Sequence, residues 1–144
     1  MRISDVLRVK GTRVVTITPD TKVRHLLKVL ADHGIGAVVV SADGSSVGGI
    51  VSERDVVRAL ALRGAAVMSE PVTEIYTEQV RTVTPDTSLD DVMRLMTEHR
   101  MRHAPVVVDG ALGGLVSIGD VVKNRMDELE TERTALSDYI TTAR

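Results

Sequence analysis

Gly113-Gly114-Leu115-Val116-Ser117-Ile118-Gly119-Asp120 is the stretch whose reading decides the fold. An apolar run ends in a hydroxyl, and a carboxylate follows three positions later, where a helical pattern begins (Val121-Val122-Lys123-Asn124-Arg125-Met126). A serine and a carboxylate so spaced between strand and helix can cap the helix reciprocally. The same arrangement can serve a nucleotide, because free N–H groups at a helix N-terminus attract phosphate and a carboxylate can accept from ribose hydroxyls. The chain writes the pattern twice: Gly48-Gly49-Ile50-Val51-Ser52-Glu53-Arg54-Asp55 leads into Val56-Val57. Two halves are therefore expected.

Working outward, the repetition extends over most of the chain. Thr16-Ile17-Thr18-Pro19-Asp20-Thr21 returns as Thr82-Val83-Thr84-Pro85-Asp86-Thr87, and His33 returns as His99, both 66 residues later. Asp43-Gly44 is answered by Asp109-Gly110, and Ser52/Asp55 by Ser117/Asp120 at an offset of 65, so one residue is gained or lost in a hairpin turn. Insertions are cheapest there. Within the first copy, Val14 to Thr18 alternates like a strand and Pro19-Asp20 stops it. Val23, Leu26, Leu27 and Leu30 have helical spacing, with Gly34 as C-cap. Ala37–Val40, the turn Asp43-Gly44 and Val47–Val51 read as a hairpin, and Ser52–Arg63 as a helix closed by Gly64. Met1–Lys10 reads as a short helix capped by Ser4, mirrored by Pro71–Tyr76 before the second copy. Expected units are 1–66, 67–126 and a C-terminal extension 127–144. Two copies are too few for a solenoid, so a closed pseudo-dimer of α+β class is expected.

Composition narrows the chemistry. The chain has 144 residues, 43% of them hydrophobic, with no Phe or Trp and two Tyr, so its core is aliphatic. With no Cys, disulfides and thiolate chemistry are excluded. The net charge of -2, with both signs interspersed, gives no field that recruits nucleic acid or an anionic membrane. No apolar run approaches the ~20 residues of a spanning helix, and Met1-Arg2-Ile3-Ser4-Asp5 lacks the core of a signal peptide. The reading is of a cytoplasmic protein. His25, His33, His99 and His103 have no metal-ligand spacing, and no nucleophile–base set or dinucleotide fingerprint is present. Neither a metal, a catalytic cofactor nor an enzymatic activity is expected. Gly48-Gly49 and Gly113-Gly114 sit before strands and suit close packing.

On these residues, above all "TITPDTKV" with "TVTPDTSL" and "GIGAVVVSADGSSVGGIVSERD" with "MRHAPVVVDGALGGLVSIGD", the chain resembles a tandem pair of CBS (cystathionine-β-synthase-type) domains, a Bateman module. The resemblance spans Met1 to about Met126. It implies two β-α-β-β-α repeats packed about a pseudo-twofold axis with two clefts between them. It also implies an adenosine ligand (AMP, ADP, ATP, NAD or S-adenosylmethionine) whose occupancy is reported to an unidentified protein partner, and pairing into a homodimer. The rival expectation is a ligand-independent structural or oligomerisation module in which both boxes only cap helices.

The candidate site residues follow. Asp55 and Asp120 match the family's ribose-binding Asp, and Ser52 and Ser117 can cap or bind phosphate. Arg54 lies in the first turn of its helix, where a cation opposes the macrodipole and suggests an anionic partner. Arg102 and His103 match a basic pair that some family members use on phosphate, and Arg suits that role through its fork of donors. His99 and Arg100 read as a helix end favoured by the dipole. The positions equivalent to Arg102, His103 and Pro105 in the first copy are Gly36, Ala37 and Val39. The first two can line an adenine pocket but bring no charge, so unequal clefts are expected. Thr16 and Thr82, in the first strand of each copy, and Thr77, in the linker, are further nucleotide-site candidates. Beyond the repeats, Val122, Met126, Leu129, Leu136 and Ile140 continue a four-three spacing toward Ala143. That stripe suits one long helix contributing to the dimer.

Overall fold

The structure is a computed structural model, and it describes residues 1–142; Ala143 and Arg144, where the expected last helix would end, lie outside the described residues. The first copy contains α1 (Ile3–Lys10), β1 (Thr16–Ile17), α2 (Val23–His33), β2 (Ala37–Val40), β3 (Gly49–Ser52) and α3 (Glu53–Arg63). Two 3₁₀ turns, Ala65–Ser69 and Val72–Glu74, lead to α4 (Leu89–His99), β4 (His103–Val108), β5 (Ala111–Ser117) and α5 (Ile118–Thr142). The class is mixed α+β, with the long C-terminal helix as expected.

β1 pairs in parallel with β2, and β2 antiparallel with β3, placing Ala37 opposite Ser52. β4 and β5 repeat that hairpin with His103 opposite Ser117. Its turn puts Asp109 and Gly110 at φ 51° and 82°, the doubly left-handed geometry of a two-residue hairpin. The first-copy turn is longer, and Asp43 organises it by accepting from Ser45 N (2.9 Å) and Ser46 N (2.8 Å). These bonds to Ser46 and Ser45 hold the Asp43 carboxyl far below the usual carboxylate range.

Among the described residues the second copy has no strand equivalent to β1. Val83 forms a single parallel bridge to Val106, and Thr82 beside it is exposed and outside any strand, contrary to expectation. Pro105 supplies the reason. In the first copy Val39 N donates to Val15 O (3.4 Å) and Ser41 N to Ile17 O (2.8 Å). In the second, Val107 N still donates to Val83 O (2.8 Å), but the position of Val39 is taken by Pro105, which has no N–H. The ladder stops there, and Arg81 is left outside it.

The halves exchange their leading segments. α1 buries Ile3, Val6 and Leu7 in the core of the second copy, with Leu89, Val92, Met96, Ala104, Val106, Val116 and Val121. Val72, Ile75 and Tyr76, which precede the second copy, pack in the first core around Leu26, Leu30, Val38, Val40 and Val51. Backbone bonds match across the exchange: Ile3 N to Thr87 O (2.9 Å) answers Val72 N to Thr21 O (2.8 Å). Leu89 N to Met1 O (3.1 Å) answers Val23 N to Glu70 O (2.9 Å). Ser4 is not the cap of α1, because the helix already begins at Ile3 and Ser4 lies in its first turn, its free N–H donating to Pro85 O (2.9 Å). Instead Arg2 takes the cap position, and its N–H donates to Asp5 Oδ2 (2.8 Å).

Glycines mark the close approaches, though Gly113 and Gly114 lie inside β5 and not before it. A Cβ on Gly49 would collide with the Tyr76 ring and Thr77 O, and one on Gly114 would meet Leu7. Both contacts belong to the exchanged segments.

Candidate functional site

The Ser-x-x-Asp boxes are built as the spacing predicts. At α3, Ser52 N donates to Asp55 Oδ2 (2.8 Å), Ser52 Oγ donates to the same oxygen (2.9 Å), and Asp55 N donates to Ser52 Oγ (3.4 Å). The other oxygen, Asp55 Oδ1, has no hydrogen-bond partner among the described residues. At α5, Ser117 N donates to Asp120 Oδ2 (2.8 Å) and Asp120 N to Ser117 Oγ (3.1 Å). Capping is therefore real at both helices.

The first box opens on a cleft of about 440 Å³ between the copies, within the ordinary range of small-ligand pockets. Of the residues singled out from sequence, Gly36, Ala37, Ser52, Arg54, Asp55, Thr77, Arg102 and His103 line it. Thr16, Thr82, Pro105, Ser117 and Asp120 do not line this cleft. Pairing positions the lining. Thr77 is fixed by reciprocal backbone bonds with Ile50 (2.9 and 3.0 Å). Glu53 N donates to Gly36 O (3.0 Å), and Ile118 N donates to Arg102 O (2.8 Å), so each strand start sits against a helix N-terminus. A Cβ on Gly36 would lie 3.4 Å from Glu53 Oε1 and 4.0 Å from His103 Cε1, so these three residues converge.

The basic pair of the second copy thus faces the carboxylate of the first. The sequence alone does not say which carboxylate this pair serves; in the fold the first box, which brings no basic pair from its own copy, shares its cleft with Arg102 and His103. Residues that sequence reasoning left out also line the cleft: Glu53, Arg58 and Arg81, together with His99 and Arg100, which it had assigned to a helix end. Two signals were available. Arg58 follows Arg54 by four positions and shares its helix face, and Arg81 and Arg100 stand where the other copy has Val15 and Gly34.

The second box is occupied differently. Lys10 at the end of α1 donates to Asp120 Oδ2 (2.5 Å) and to Leu115 O (2.6 Å). Leu115 is the counterpart of Ile50, whose carbonyl accepts from Thr77 N in the first copy. A lysine ammonium thus replaces that backbone donor and neutralises the carboxylate at once. Burial pushes the Asp120 carboxyl up, but the hydrogen bonds from Lys10 and Ser117 outweigh it and the net direction is down. Among the described residues, Asp55 has no such ion pair.

His103 lies between the boxes. Burial pushes its imidazole below the ordinary 6.5, and Lys10 adds to this; Asp120 opposes, Arg102 lowers further and Glu53 opposes. The imidazole is neutral in the folded protein at pH 7, whereas the unfolded one titrates near 6.5. The unfolded state therefore binds more protons below that pH, so stability is retained above 6.5 and falls as pH drops toward the folded value. In an NMR titration, His103 is expected to titrate below 6.5 and to move upward in Lys10→Met; a value at or above 6.5 in the parent protein would contradict this.

A sequence model of the CBS domain matches residues 3–62 and 72–127. The chain belongs to the CBS domain family, as a tandem pair. The mitochondrial CBS domain-containing protein CBSX3 of Arabidopsis thaliana is 38% identical over 146 residues, covering 96% of this chain and 71% of the relative. The crystal structure of the CBS-domain containing protein ATU1752 from Agrobacterium tumefaciens has a TM-score of 0.84 at 44% identity, covering 87% of this chain and 99% of that one. The CBS domain protein PAE2072 from Pyrobaculum aerophilum, solved in complex with AMP, has a TM-score of 0.72 at 29% identity, covering 83% and 89%. None of the described helices is long and apolar enough to cross a membrane.

Proposed function

We propose that this CBS pair is a regulatory module that binds an adenosine nucleotide in the inter-repeat cleft and passes its occupancy to a protein partner. The observation that carries the reading is that Asp55, whose Oδ1 has no hydrogen-bond partner among the described residues, lines the same cleft as Arg54, Arg102 and His103. Asp55 accepts from the vicinal ribose hydroxyls, and the basic groups with the N-terminus of α3 hold phosphate. Gly36, Ala37 and Thr77 form the wall for the base. The AMP complex of the Pyrobaculum aerophilum relative supports an adenosine ligand. Ligand energy shifts the packing of the halves only by its difference in affinity for their two arrangements.

The second cleft, at Ser117 and Asp120, is proposed as a weaker site, because a nucleotide there must displace Lys10. Titration calorimetry with AMP and ATP tests both points. Binding with unequal sites, or at one site, is the expected result; two identical independent sites, or no adenosine binding, would contradict it. The rival reading, a ligand-independent scaffold, draws on the fact that both capping boxes are complete without a ligand. Absence of binding by every adenosine compound would favour it.

We propose in addition that the module is a homodimer. Val57 and Leu62 on α3 are 65% and 85% exposed, and Val122, Met126, Leu129, Leu136 and Ile140 on α5 are all exposed. From Leu129 to Thr142 every residue of α5 is exposed, so the helix runs beyond its own domain and is not folded back on it. Apolar positions in a four-three spacing on an uncovered helix suit a partner helix. In light scattering, a chain ending at Asn124 is expected to dissociate more readily than the parent; an unchanged dimer would remove the tail from the interface.

A further inference from the structure

We infer that the cleft ligand carries at least two linked phosphates, as in a nucleoside di- or triphosphate or a diphosphate-bridged dinucleotide, with Arg58, Arg81 and Arg100 taking the phosphates beyond the first. This rests on the adenosine reading of the cleft and narrows it. The ground is charge. Arg54, Arg58, Arg81, Arg100 and Arg102 all line the one cleft, against only two carboxylates, Glu53 and Asp55. None of the five guanidiniums has an ion-pair partner among the described residues, and they are gathered on one cleft, whereas the other unpaired arginines, Arg13, Arg24, Arg94 and Arg133, do not line it. His103 is held neutral beside them. A monophosphate brings about −2 and is matched by roughly two guanidiniums in bidentate contact. With Glu53 and Asp55 also counted, a monophosphate still leaves about one positive charge unmatched on the cleft wall, and like charges gathered there repel. Each further linked phosphate adds negative charge, which brings the ligand toward the surplus on the cleft wall.

The internal repeat shows that this surplus is local. At the positions related by the repeat to Arg54, Arg81, Arg100 and Arg102, the other copy has Gly119, Val15, Gly34 and Gly36; only Arg58 has a cationic counterpart, Lys123. A general surface requirement would not place four of these charges on one side of the pseudo-twofold axis. Arg100 is also held at φ 51°, in the left-handed region, where its counterpart Gly34 sits at 61° without steric cost. Glycine would cap α4 better, so the arginine is retained there against local preference. Arg81 is available because Pro105 ends the strand ladder before it reaches residue 81.

The test is titration calorimetry of the full-length chain with ATP, ADP, NAD, AMP, S-adenosylmethionine and inorganic tripolyphosphate, at constant ionic strength. ATP, ADP or NAD is expected to bind about tenfold or more tightly than AMP, from one or more added charge-assisted contacts. S-adenosylmethionine, with its cationic sulfonium, is expected to bind more weakly than all of them. Which of the mononucleotides or the dinucleotide binds best distinguishes the two sources of linked phosphate. Arg100→Gly relieves the left-handed residue and so keeps the fold, and it is expected to cut the ATP-to-AMP preference about tenfold; Arg58→Ala should do the same. AMP or S-adenosylmethionine binding as tightly as ATP, ADP and NAD would overturn the inference while leaving the adenosine reading standing. Tripolyphosphate binding without any preference for adenosine would uphold the phosphate inference and overturn the adenosine reading. No binding by any of them would overturn both.

Discussion

Asp55→Ala is expected to lower adenosine-nucleotide affinity by about 10- to 100-fold. A hydrogen bond to an ionised acceptor contributes about 1.5–3 kcal/mol, and each 1.4 kcal/mol is tenfold. The geometry leaves this carboxylate able to serve both the cap and a ligand. Oδ2 accepts from Ser52 N and Ser52 Oγ, while Oδ1 has no hydrogen-bond partner among the described residues and Asp55 lines the cleft. The substitution also removes half of a capping box, at about 1 kcal/mol of stability. Asp55→Asn retains a carbonyl oxygen for Ser52 N and separates the two losses, because its cap remains while its ionised acceptor is gone. Asp120→Ala is expected to have the smaller effect on binding, since Lys10 already holds that carboxylate. Calorimetry on the three variants checks the ranking; wild-type affinity in Asp55→Ala would remove the ribose contact from the account.

Leu26→Ala is expected to destabilise the whole chain by about 2–5 kcal/mol, and to do so in one transition. Leu26 is fully buried in the first core. A loss of that size is a large part of the roughly 5–15 kcal/mol that holds a domain folded. Cooperativity follows from the exchange. α1 is an integral part of the second core, and Val72, Ile75 and Tyr76 of the first, so neither copy keeps a complete core when the other opens. Leu89→Ala in the second core is therefore expected to shift the same transition. Urea unfolding followed by circular dichroism and by nucleotide binding checks this. A plateau in which one half survives would show that the exchanged segments contribute little.

Most of the fold was legible because the chain states it twice. Periodicity alone located α2, the hairpins, α3 and the long α5, and the repeat supplied the symmetry. What failed to show was where one copy departs from the other for a reason visible only in three dimensions. Pro105 reads as an ordinary strand residue until it is seen to lack the N–H that Val39 gives to Val15. Ser4 fits a cap by type, but the helix starts earlier, at Ile3, where its first-turn N–H groups donate to Thr87 O and Pro85 O in the other half. The exchange of α1 and of Pro71–Tyr76 leaves no signature in apolar spacing, because either core would accept Ile3, Val6 and Leu7.

The site was legible by residue type and less so by partnership. Asp55, Arg102 and His103 were all singled out, but the sequence left open which carboxylate the basic pair serves, and the fold places the pair on the cleft of Asp55. Contacts across a pseudo-twofold axis have no fixed spacing along the chain, so no motif encodes them. Lys10 shows the same thing in reverse. Nothing near it in sequence predicts that its ammonium would reach Asp120 and Leu115, more than a hundred positions away.

The crystal structure of the chain grown with ATP tests the central claim most directly. The account predicts a nucleotide between the copies, with its ribose hydroxyls on Asp55 Oδ1 and its phosphates toward Arg102 and Arg58. A nucleotide bound elsewhere, or an empty cleft at saturating ATP with Asp55 Oδ1 still unpartnered, would contradict it.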